Sequence, residues 1–180
     1  MTSTNVQNQS ITQLRILYDR IDQNFARISG KYPESINCRS GCFQCCAPNL
    51  TVSQIEAQSI RQYIGSSEDS TNALLRLKNK PAHGRLHCQL LGADGSCSIY
   101  QARPVVCRSH GIPLQYGRND EATVSRSVCP LNFNEKDIVQ IDHQDVMNME
   151  TVNTILATLN LAFSPTEKDI RVPLRPDSFV

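Results

Sequence analysis

The sequence has no tryptophan and few other aromatic residues, 6% of its 180 positions. Large rings bury the most apolar area per residue, so a chain this poor in them builds a lean core that gains from internal cross-links. No apolar run approaches the roughly 18 residues that a membrane-spanning helix needs. No excess of either charge is present: 18 Lys and Arg stand against 17 Asp and Glu, a formal +1, so neither nucleic acid nor an anionic membrane is indicated as a partner. The N-terminal "MTSTNVQNQS" is polar and lacks the apolar segment of a secretory leader, which points to the cytoplasm. There is no phosphate loop, dinucleotide fingerprint or paired-carboxylate motif. No lone cysteine stands beside a base and an orienting group, so the chain reads as non-enzymatic.

Hydrophobic periodicity predicts a mostly α, small single domain. Residues 1–9 read as a disordered tail and residues 10–180 as the domain. Ser10 and Gln13 form a capping-box pattern opening a helix to Gly30, along which Ile11, Leu14, Tyr18, Ile21, Phe25 and Ile28 recur. Ser53 and Glu56 open a second helix, closed by Gly65. "STNALLRLKNK" gives a third, stopped by Pro81. A last helix is expected over Asp145–Phe163, followed by an extended tail in which Pro173 and Pro176 forbid helix. Within "HCQLLGADGSCSIY", Asp94-Gly95 marks the turn of a short β-hairpin. After Arg103-Pro104 the chain reads as loop.

What the sequence has in abundance is cysteine, and all of it falls in the irregular centre. "CRSGCFQCC" supplies Cys38, Cys42, Cys45 and Cys46; Cys88, Cys97, Cys107 and Cys129 follow singly. Buried structural cysteines would scatter onto the apolar helix stripes, and none lies there. Disulfides need an oxidising compartment, for which there is no signal. A metal site remains: thiolates held about 2.3 Å from a soft ion, short spacings supplying ligands from one turn and distant cysteines completing the shell. As a helix, positions 38, 42, 45 and 46 share one face; as a knuckle loop, Gly41 supplies the bend. Eight sulfurs match two four-cysteine sites or one polynuclear cluster. Neighbouring Cys45 and Cys46 diverge, and are expected to serve different metals or different corners of one cluster. The spacing Cys38-x3-Cys42-x2-Cys45 also occurs in radical-SAM enzymes. The strand–helix repeats of that barrel are missing, Gln44 stands where an aromatic is usual, and Cys46 is foreign to that motif.

"CRSGCFQCC", "CSIYQARPVVCR" and Cys129-Pro130 together resemble the YkgJ-like cysteine-cluster (CxxCxxCC) family, over about residues 38–130. The first gap has three residues here instead of two. The resemblance implies chelation of zinc or iron by the cysteines, either as bare ions or as an iron–sulfur cluster. A similar cysteine domain occurs in flagellin lysine methylases. It leaves two functions open: a structural or metal-handling module, and an iron–sulfur accessory to electron transfer or protein modification with an unidentified protein partner. Inside the signature, Arg103 and Arg108 are expected to compensate thiolate charge and to donate hydrogen bonds to sulfur. His110, three residues after Cys107, has a usable ligand spacing, and His87 precedes Cys88; with eight cysteines present both read as loop histidines beside the site.

Overall fold

A computed structural model describes residues 3–79, 83–84, 86–117 and 124–180. The long first helix, α1 (Ser3–Lys31), turns Ile11, Leu14, Leu17, Tyr18, Ile21 and Ile28 inward at the predicted spacing. It starts at Ser3 rather than Ser10, so residues 3–9 extend the helix where the sequence reads as a disordered tail. Ser10 is buried and its hydroxyl donates to the Val6 carbonyl at 2.9 Å, an intrahelical bond in place of a cap.

The second helix, α2 (Gln54–Gly65), keeps its expected start. The Ser53 N–H and hydroxyl both donate to Glu56 Oε2, at 3.0 and 2.8 Å. Helix α3 (Glu68–Asn79) follows; Pro81, expected to stop it, lies outside the described residues. Strand β1 (Thr51–Val52) pairs antiparallel with β5 (Val172–Pro173), so the extended tail becomes a strand before Pro176–Ser178 turns. A second sheet has the order β3 (Ser125–Ser127), β2 (Leu114–Tyr116), β4 (Met147–Asn148), with β2 antiparallel to β3 and parallel to β4. The short α4 (Val105–Ser109), which the sequence reads as loop, begins just after Pro104.

The last helix, α5 (Met149–Phe163), starts four residues later than predicted. Met147 and Asn148 are drawn into β4, and the Asn148 side chain caps the helix by accepting the Thr151 N–H at 3.0 Å. Asp145, the expected start, is spent elsewhere. Fully buried, its carboxylate accepts from Arg27 at 2.6 Å, from Lys31, and from the Tyr32 hydroxyl at 2.8 Å, pinning the end of α1 to the chain before α5. No helix among the described residues is long and apolar enough to cross a membrane.

Burial pushes the Asp145 carboxyl up, but the hydrogen bonds from Lys31, Arg27 and Tyr32 outweigh it and hold it at about 2. A depressed carboxylate stabilises the fold above its ordinary value of 3.8 and loses that contribution as pH falls toward about 2. Arg27 and Lys31 are 48% and 47% exposed, so solvent takes them back when the carboxylate is removed. Asp145→Asn should therefore cost about 2 kcal/mol at neutral pH, less than a stranded buried charge would. In denaturant titrations, the gap to wild type should close as pH falls from about 4 to about 2.

Two apolar clusters form the core. One joins α1 to α5 and β2, through Leu14, Ile21, Ile28, Ile112, Met149 and Val152. The other gathers Ile60, Ile64, Leu74, Leu90 and Ile99 around α2 and α3, and Cys88, Cys97 and Cys107 pack against it.

Candidate metal centre

Between Ile36 and Pro48 the chain forms neither helix nor strand. Two tight turns follow each other: Cys42 N–H donates to the Arg39 carbonyl at 3.0 Å, and Cys46 N–H to the Phe43 carbonyl at 2.9 Å. Gly41 takes φ +80°, a conformation open to glycine at little cost. The segment is thus the knuckle, one of the two forms its spacing allows. Its Phe43 ring docks on the hairpin turn, where a Cβ on Gly95 would lie 2.7 Å from Phe43 Cδ1. His83 and His87 flank the same ring, with centroids 4.6 and 5.2 Å away.

The remaining cysteines come from four separate segments. Cys88 N–H donates to the Cys46 carbonyl at 2.9 Å, which lays the two segments side by side. Cys97 lies on the return arm of the predicted hairpin, bridged to Leu91 around Asp94-Gly95. Cys107 sits in α4, whose first turn is anchored when Val105 N–H donates to Glu56 Oε1 at 2.9 Å. Cys129 opens a turn closed by the Asn132 N–H at 2.9 Å.

All eight cysteines are free thiols. Among the described residues, no group of three or more His, Cys, Asp or Glu side chains is already arranged to hold an ion. The sulfurs are nevertheless close enough to act on one another, in two sets that overlap at Cys45. Burial raises the Cys38 thiol, the Asn132 hydrogen bond pulls it partly back, and Cys129, Cys42 and Cys45 raise it further. In the other set, burial pushes Cys107 up to about 12, with Cys97, Cys88 and Cys45 adding to the rise. Burial likewise raises Cys88 and Cys97. Between the sets, Cys45 and Cys46 share a hydrogen bond that lowers the first and raises the second; Cys88 and Cys107 raise Cys46 further. Free thiols in mutual reach, two of them exposed, five half-buried and Cys129 buried, are the donor set that zinc and iron take.

Arg103 stacks on the Tyr100 ring at 3.8 Å, and its charge partly offsets the rise of Cys97 and Cys107. The half-buried His110 closes α4, and its imidazole lies near enough to help lower Cys45. Arg108 is placed differently from its expected role. It is 7% exposed, lies over the Tyr18 ring, and donates to Asp22 and to the carbonyls of Gln101 and Arg103. Among the described residues none of its hydrogen bonds reaches a sulfur. It ties α4 and the 101–103 turn to α1. Arg108→Ala should lower stability by about 2–4 kcal/mol in thermal melts, since it strands two carbonyls and opens a gap under Tyr18. Arg108→Lys should rescue only in part, lacking the planar fork.

Gly111 and Asn132 carry no signal of a site role in the sequence. Gly111 reads there only as loop; in the structure it has φ +114°, and a Cβ on it would lie 2.9 Å from Cys38 Sγ. Asn132 follows Cys129-Pro130 like any turn residue, and nothing in the chain's spacing ties it to Cys38.

A model of the family CxxCxxCC, described as a "putative zinc- or iron-chelating domain", matches residues 37–130, more than half of the chain. No curated protein and no solved structure matches it.

Proposed function

The chain belongs to the CxxCxxCC family, and on that premise we propose that its cysteines chelate zinc or iron in two adjoining four-thiolate groups. One group is Cys38, Cys42, Cys45 and Cys129; the other is Cys46, Cys88, Cys97 and Cys107. What supports this reading is that Cys129 and Cys42 act on Cys38 while Cys97 and Cys88 act on Cys107, with Cys45 acting on both. A bound ion supplies charge neutralisation and a four-way cross-link. The chain's own residues do the rest: Arg103 offsets thiolate charge, and Glu56 holds α4 in register with α2. Because Cys88, Cys97 and Cys107 pack against Leu90 and Ile99, an ion there staples a lean core, which favours a structural or metal-handling module.

The contact of Cys45 with Cys46 favours a second reading, a polynuclear iron–sulfur cluster serving electron transfer or protein modification. Anaerobic purification, an absorption spectrum, and assays of metal and acid-labile sulfide test both. A colourless protein with zinc and no sulfide supports the module. A brown protein with iron and sulfide supports the redox reading. Chains that purify and refold without either metal would overturn both.

A further inference from the structure

We infer that Asn132 is a positioning residue for Cys38, its side-chain amide holding that sulfur in the orientation of a metal ligand; this rests on the chelation reading above. The geometry is specific. Asn132 is 2% exposed, so its polar atoms must find partners inside the protein. Its Oδ1 accepts the Asn37 N–H at 2.8 Å, which fixes which way the amide faces. Its Nδ2 donates to the Gly111 carbonyl at 2.6 Å and to Cys38 Sγ at 3.3 Å. One side chain thereby joins the residue before Cys38, the sulfur of Cys38, and the loop behind it.

Gly111 completes the cradle. A Cβ there would lie 2.9 Å from Cys38 Sγ and 3.2 Å from the Phe25 ring, so the backbone itself walls the sulfur on that side. The Asn132 N–H also closes the turn that begins at Cys129. The residue therefore links two members of one proposed group, Cys38 and Cys129, with no charge of its own. A neutral N–H donor suits a thiolate: it withdraws electron density from sulfur without competing as a ligand, and such partners typically carry 10- to 100-fold in metal affinity.

Cobalt(II) serves as the probe, because a thiolate–cobalt centre has sulfur-to-metal charge-transfer absorption. In wild type, cobalt should load and show those bands. Asn132→Ala should weaken cobalt retention about 10- to 100-fold against a chelator. It should also move the bands to longer wavelength, since a sulfur relieved of its hydrogen bond gives up its electrons more easily. A purely structural role would weaken retention equally in any background, so the cycle with Cys38→Ala is decisive. With the sulfur gone, adding Asn132→Ala should cost little further affinity and leave the remaining bands in place. Where Asn132→Ala does not fold, Asn132→Ser, which keeps an oxygen for the Asn37 N–H, enters the same cycle. Equal loss in both backgrounds, or unshifted bands, would overturn the inference alone. A folded wild-type chain that takes up no cobalt would overturn the chelation reading as well.

Discussion

Stripping the metal should abolish most of the protein's stability, and should do so on one side of the molecule first. The segments that carry the cysteines are turns, a single-bridge hairpin and a five-residue helix. They anchor Leu90, Leu91, Ile99 and Val105 in the core but have little regular backbone structure of their own, so the thiolates should hold them together. A structural zinc contributes on the order of 10–16 kcal/mol in small domains, against a total stability of about 5–15 kcal/mol for a typical protein. The loss should be uneven. The cluster around α2 and α3 has Cys88, Cys97 and Cys107 packed against it, whereas the α1–α5 cluster contains no cysteine. After chelation, hydrogen exchange should accelerate at Leu90, Ile99 and α4 while α1 and α5 keep protection and much of the helical dichroism. Unchanged melting after verified metal loss would contradict the role of the metal as a staple.

Single cysteine substitutions should remove metal in portions. Cys129→Ser breaks the group that includes Cys38, and Cys97→Ser breaks the group that includes Cys107. Each should lower bound metal by one group's worth, and the double variant should retain almost none. Serine preserves volume, so the loss reads as a lost ligand rather than a cavity. Cys45→Ser and Cys46→Ser should each behave like a single variant if, as proposed, the two sulfurs belong to different groups. Complete loss in every single variant would mean one shared cluster. Full occupancy in any of them would make that cysteine a bystander.

The helices were the most legible part of the chain. The stripe from Ile11 to Ile28 and the Ser53/Glu56 pair act through neighbours three or four residues apart, which a linear pattern displays. The start of α5 was misplaced because Asp145 is claimed by Arg27, Lys31 and Tyr32 from across the fold, and because Asn148 makes the cap. Helix α4 was missed for the same kind of reason: its first N–H is anchored by Glu56, 49 positions away. At the site, the cysteines announce themselves by spacing, and Gly41 and Gly95 by the turns they permit. Asn132 and Gly111 do not, since their contacts with Cys38 exist only once residues 94 and 73 positions apart meet. Arg108 shows the converse, a residue beside a cysteine in sequence whose hydrogen bonds run away from it.

In either form sulfur alone should bind the metal, as four thiolates to a bare ion or as thiolate and sulfide together in a cluster. X-ray absorption at the edge of the metal that copurifies reads this directly. The expected result is a first shell of sulfur only, at about 2.3 Å and with four sulfurs per metal. A shell dominated by oxygen or nitrogen at about 2.0–2.2 Å would contradict it, because it would put the metal on carboxylates, imidazoles or water instead of the cysteines.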